Sequence, residues 1–90
     1  MDRIHFFVFG SVQGVGFRFT TIEKARNLGL VGWARNNPDG SVEIIAEGSK
    51  EKLEKLAIWA KKGPFLANVE KIETSWEKAI GGFTSFDVKY

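Results

Sequence analysis

"LVGWARNNPDGSVEIIAEG", residues 30–48, is the stretch whose reading decides the fold. Its centre, Asn37-Pro38-Asp39-Gly40, is a turn with a mechanism. Pro38 presets φ, Asp39 can bond its own backbone, and Gly40 tolerates positive φ. "LVGWARN" (30–36) before the turn reads as a strand. After it, "SVEIIAEG" (41–48) sets Val42, Ile44 and Ala46 against Glu43 and Glu47, the alternation of a strand with one buried face. Two strands across a short turn make a β-hairpin.

Outward on both sides the period changes from that of a strand to that of a helix. Upstream, Phe19, Ile22, Ala25 and Leu28 recur at helical spacing from Phe17 to Leu28, and Gly29 supplies a C-terminal stop. Downstream, "SKEKLEKLAIWAKKG" (49–63) reads as a helix capped by Ser49, buried along Leu53, Leu56, Ala57 and Ala60, and stopped by Gly63-Pro64. Beyond the helices lie "IHFFVFGSV" (4–12), an apolar and thus central strand, and "NVEKIETSWEK" (68–78), a strand with a polar face. "GGFTSFDVKY" (81–90) opens on a glycine turn and closes on a fifth short strand. The order β-α-β-β-α-β with a terminal strand specifies an α+β, ferredoxin-like sandwich: an antiparallel sheet with two helices on one face. Right-handed crossovers place the first and third strands at its centre.

Ninety residues, 43% of them hydrophobic, support one domain with one core. Without cysteine there is no disulfide framework and no thiol chemistry. Thirteen basic and eleven acidic residues leave a net charge of +2, too weak to demand a nucleic-acid or membrane partner. "MDRIHFFVFG" has acid and base ahead of its short apolar run, so neither a signal peptide nor a membrane span is read. The expected location is the cytoplasm.

The segment between the first strand and the first helix, "FGSVQGVGFRFT" (9–20), combines Gly10, Gly14 and Gly16 with Arg18 at the helix start. Helix N-termini offer N–H groups without intrahelical partners, and glycines let successive amides curl around an anion. An arginine adds a planar fork that binds two phosphate oxygens at once. The loop is not a Walker A loop, which ends in Gly-Lys-Ser/Thr, nor a dinucleotide loop, because Phe19 stands where the last glycine of GxGxxG belongs. On spacing alone two readings stand: an oxyanion cradle, or a tight strand-to-helix turn whose Arg18 pairs with a surface acid.

"GSVQGVGFR" (10–18), "LGLVGWARNNPDGSVEI" (28–44) and the later "GP" and "VE" (63–64, 69–70) together resemble the acylphosphatase family over nearly the whole chain. The resemblance implies a single acylphosphatase-like domain over residues 1–90 that hydrolyses acyl phosphates to a carboxylate and inorganic phosphate, without metal or cofactor. It implies Arg18 as the phosphate-binding arginine, Ser11, Val12, Gln13, Gly14, Val15 and Gly16 as the amide cradle, and Asn36, not Asn37, as the catalytic asparagine. The implied partners are a small-molecule acyl phosphate and inorganic phosphate, with no nucleic acid and no membrane, for a monomer. Ser11 stands where the family commonly has a basic residue, which weakens the local positive potential. Phe65, where a second proline often stands, reads as a packing change.

The remaining polar and aromatic residues read as scaffold. His5, the single histidine, has no recognisable catalytic arrangement around it. Trp33, Trp59 and Trp76 read as core or core edge, Glu43, Glu47, Glu51 and Glu54 as solvated surface without metal-ligand spacing, and the lysines of 50–62 as the wet side of a helix. Two other functions compete with the enzyme. An RNA-binding sheet lacks the basic-aromatic signature of that class. An anion-binding regulatory domain would use the same loop and is separated from the enzyme by Asn36 alone.

Overall fold

The computed structural model describes residues 1–90. Its elements are β1 (Asp2–Ser11), α1 (Phe17–Asn27), β2 (Val31–Asn36), β3 (Val42–Gly48), α2 (Lys50–Lys62), β4 (Asn68–Lys78) and β5 (Phe86–Val88). The strands form one sheet in the order β4-β1-β3-β2-β5. β1 and β3 are central, as the crossover rule requires.

Alternation sets the core. Ile4, Phe6 and Val8 of β1 lie opposite Ala46, Ile44 and Val42 of β3, and all six are fully buried on one face. Gly32, Ala34 and Asn36 of β2 continue that row, opposite the same three β3 residues. Leu53, Leu56 and Ala60 of α2 and Phe17, Ile22 and Ala25 of α1 close over it. α2 begins at a Ser49 cap, whose side chain accepts from the Lys52 N–H. α1 ends in a Schellman motif: Leu30 N–H donates to the Ala25 carbonyl and Gly29 N–H to that of Arg26, both at 3.0 Å.

The first four strands form the expected antiparallel sheet, and the short C-terminal strand β5 makes it mixed. It pairs in parallel with β2, Phe86 opposite Gly32 and Val88 opposite Ala34. The reason is the shared end of the strands. Lys78 lies beside Asp2, Asp2 beside Gly48, and Glu47 beside Val31, the start of β2. A short segment along that end of the sheet carries the chain from β4 to the start of β2, so β5 must run the same way as β2.

Glu47 pins this crossing. Its Oε2 accepts from Ile80 N–H at 2.9 Å and from Arg3 Nε at 2.8 Å, its Oε1 from Gly81 N–H at 3.1 Å. The sequence placed Glu43 and Glu47 on a wetted face; the structure corrects both. Glu47 is only 2% exposed and Glu43 is buried beside Arg35, whose Nη2 donates to its Oε1 at 2.6 Å, and His5, whose Nε2 lies 2.7 Å from its Oε2. The alternation correctly turned these carboxylates away from the helices, but Arg3, Arg35 and the crossing segment cover them there. Burial works to raise the Glu47 carboxyl, and the Ile80, Arg3 and Gly81 bonds outweigh it, holding the group below the usual 4.5. A carboxylate so depressed stabilises the fold fully above its unfolded value, and that stability is lost as pH falls through the lower native one. Glu47→Gln is therefore expected to cost about 3 kcal/mol in urea unfolding at pH 7. Its deficit against the parent should shrink as pH falls below about 4.5, where the unfolded parent takes up a proton that the native carboxylate accepts only at lower pH.

Three apolar readings also change. Phe19 is 71% exposed, because the buried stripe of α1 runs along Phe17, Thr21, Ile22 and Ala25 and leaves Phe19 on the far side. Phe65 is 99% exposed and repacks nothing. Trp76 lies exposed on edge strand β4, with Lys50 Nζ 5.7 Å from its ring. Trp59 does meet the core, against Phe17 at 5.5 Å between centroids, and Trp33 is half-buried beneath the cations of Arg35 and Lys89. No helix is long and apolar enough to cross a membrane.

Candidate active site

β1 delivers the chain to the loop through a bulge. The pairing with β4 shifts register between Phe9 and Gly10. A Cβ on Gly10 would lie 2.1 Å from the Asn68 carbonyl oxygen, so only glycine allows this approach. Ser11, the last residue of β1, is exposed and lies opposite Asn68. Val12 is then buried in the core and Val15 packs against it, which fixes the loop by its apolar side chains.

Gly14 and Gly16 adopt positive φ, 76° and 79°. Such left-handed glycines within a turn let neighbouring amides converge. None of the backbone N–H groups of residues 12–16 has an acceptor within the chain. The Gly16 carbonyl, by contrast, is drawn into α1 by Thr20 N–H at 2.9 Å and Thr20 Oγ1 at 2.8 Å. The loop thus keeps donors free while its last acceptor is occupied. α1 reinforces this. Gly16 caps it without a side chain, and its first turn holds no acid, whereas α2 has both Ser49 and Glu51. The positive end of the α1 dipole is left uncompensated.

Phe17, the first residue of α1, is 1% exposed and wedged against Trp59. That anchor leaves Arg18 half-buried at the rim of a cleft of about 220 Å³. Arg18 has no carboxylate within ion-pairing distance; its guanidinium carbon lies 5.3 Å from the Tyr90 ring centroid. The turn reading, in which Arg18 neutralises a surface acid, has no acid to use.

Asn36 reaches the same cleft from the sheet. It ends β2 on the helix-facing side, and its neighbours in the cleft include Val12, Gly14, Gly16, Arg18 and Phe19. Its Oδ1 is buried and has no hydrogen-bond partner in the chain, the sole buried side-chain polar atom in that condition. An orphaned acceptor of this kind costs about 1–3 kcal/mol. Asn37 differs on each count. One residue along the strand, it turns to the other face, where its Oδ1 accepts from Arg35 Nε at 3.2 Å and its Nδ2 donates to Ser41 Oγ at 3.1 Å. Asn37 belongs to the turn.

The site residues named from the sequence therefore divide. Val12, Gly14, Gly16, Arg18 and Asn36 line one cleft, while Ser11, Gln13 and Val15 do not. Gln13 has a task that no spacing announced. Its Nε2 donates to the Asn37 carbonyl at 2.7 Å and the Ser41 carbonyl at 2.9 Å, across the mouth of the β2–β3 hairpin. The hairpin is itself tight: Asn37 N–H donates to the Ser41 carbonyl at 2.9 Å, and Asp39 Oδ1 accepts from Ser41 N–H and Oγ. The Ser41 hydroxyl bond, then that of its amide, holds the Asp39 carboxyl below the usual range. One side chain thus ties the loop to the strand end that carries Asn36. The acids do not gather into any group of three or more that could hold a metal ion.

Residues 4–88 match the acylphosphatase family model. The chain is 49% identical over 79 residues to an acylphosphatase from Thermococcus kodakarensis, covering 88% of this chain and 87% of that one. It is 46% identical to one from Methylococcus capsulatus, over 98% and 96% of the two chains. Its fold superimposes on the crystal structure of acylphosphatase from Bacillus subtilis with a TM-score of 0.96, at 34% identity and full coverage of both chains.

Proposed function

The chain belongs to the acylphosphatase family, and from that premise we propose that the amides of residues 12–16 and Arg18 hold the substrate's phosphoryl oxygens while Asn36 aims the attacking water. The activity is hydrolysis of a small acyl phosphate to a carboxylate and inorganic phosphate. Residues 1–90 act in it as one catalytic domain.

An acyl phosphate is a mixed anhydride whose carboxylate leaves readily, so the leaving group needs little protonation. Catalysis then rests on positioning and on stabilising charge at the phosphoryl oxygens. Water oxygen bonds to phosphorus as the bond from phosphorus to the acyl oxygen breaks, and the electron pair departs with the carboxylate. The water's proton passes to a phosphoryl oxygen. A carboxamide has no basicity of use at neutral pH, so Asn36 works by geometry: Oδ1 accepts from the water and Nδ2 donates. The single observation that carries this is the buried, unpartnered Oδ1 in the cleft that Arg18 borders. It offers an acceptor where a water needs one, and it sets the enzyme above a regulatory domain that only binds anions.

The test is hydrolysis of acetyl phosphate, with chelator present, by the parent and by Arg18→Ala and Asn36→Ala. Turnover lost in both, with phosphate a competitive inhibitor of the parent, supports the assignment; full activity in either variant refutes that residue's role. Gln13→Ala is expected to lower kcat about tenfold, by releasing the hairpin that aims Asn36, with little change in the phosphate inhibition constant. In an Asn36→Ala background the same change should cost almost nothing, the non-additivity of two residues acting through one group.

A further inference from the structure

A second groove, of about 300 Å³, adjoins the catalytic cleft and shares Arg18 and Phe19 with it. Resting on the catalytic reading above, we propose that this groove receives the acyl group of the substrate and selects uncharged, apolar acyl chains. With the phosphoryl group at Arg18, the acyl chain must leave the cleft somewhere. Val12 and Phe17 are buried within the protein, and Asn36 closes the sheet side. Phe19 stands at the remaining rim, on the exposed side of α1 and turned away from the core. Beyond it the groove wall is Ile22, Val88 and the Tyr90 ring. A phenylalanine that contributes little to the core but borders both cavities suits a substrate contact.

The charges of the groove agree. Arg26 lies in it but is committed: its Nε donates to the Phe86 carbonyl at 2.9 Å and its Nη2 to Asp87 Oδ1 at 3.2 Å. Past Arg18 the groove's other cation, Arg26, is paired with Asp87, so the two offset each other and leave no net positive charge to attract an anionic group on the acyl chain. A chain ending in a carboxylate or a second phosphate gains nothing there and loses hydration. A chain of several methylenes gains by leaving water.

The experiment compares kcat/KM for acetyl, hexanoyl and adipoyl phosphates. The first two have equally good leaving groups, and the third matches the second in length but ends in a carboxylate. The parent should prefer hexanoyl to acetyl phosphate by about tenfold, the return on partly burying the added methylenes. Adipoyl phosphate should fall back to the acetyl rate or below. In Phe19→Ser the hexanoyl-to-acetyl ratio should drop at least threefold, while Phe19→Leu should retain it. An equal rate for all three substrates in the parent, or an unaltered ratio in Phe19→Ser, overturns the groove assignment and leaves the catalytic reading intact. Absence of turnover on every substrate overturns the catalytic reading, and this one with it.

Discussion

Asn36→Ala is expected to lower kcat by about 10²–10³-fold while leaving the inhibition constant of inorganic phosphate within about threefold of the parent. The split follows from where Asn36 stands. It enters the cleft from β2, whereas the amides and Arg18 come from the loop and α1. On the proposed roles, phosphate capture needs the second group of residues and placement of the water needs the first. The same variant should unfold at a higher temperature than the parent, because it removes a buried acceptor that has no partner in the chain. A gain of about 1 kcal/mol in stability beside a large loss of rate would be the signature of strain retained for function. Steady-state kinetics with phosphate inhibition, and thermal unfolding of both proteins, read all three quantities. Equal losses in kcat and phosphate affinity would instead make Asn36 part of the cradle.

Arg18→Ala should act on the other side of that split. Its guanidinium is free of carboxylate partners, so its loss removes a charge and a fork of donors from the anion alone. The expected fall in kcat/KM is about 10³-fold or more, the scale seen when an arginine stabilises a transferring phosphoryl group. Phosphate inhibition should weaken in parallel, and stability should hardly move, since the side chain is half-buried and unpaired. Arg18→Lys should recover little of the rate. A single ammonium replaces the charge but not the paired bonds to two oxygens. Near-normal phosphate inhibition in the lysine variant would mean that the loop amides suffice and that Arg18 serves only as a distant charge.

The elements were legible because their signals are local. The Asn37–Gly40 turn, the alternation of Val42, Ile44 and Ala46, the Ser49 cap and the Gly29 stop each act within a few residues of themselves. The loop was legible because its features are local too: amides at a helix start, left-handed glycines, and an arginine at the second helical position. The misreadings share a different cause. Phe19 has the spacing of the helix's apolar stripe, but which side of α1 meets the sheet is set by the docking of Phe17 against Trp59. Glu43 and Glu47 carry strand periodicity, which gives the face and not what covers it.

By itself, then, the sequence determined the order of strands and helices, the central place of β1 and β3, and a glycine-rich strand-to-helix loop ending in Arg18, which its spacing alone left open between an oxyanion cradle and a tight turn. These rest on propensity, period and backbone freedom, which contacts between neighbours in the chain decide. Tertiary structure alone decided the parallel entry of β5, the burial of Glu47 under the crossing segment, the Gln13 bridge and the meeting of Asn36 with the loop. Each joins residues far apart in the chain. Which of them meet depends on the register and edge order of the sheet, fixed only when the whole core packs.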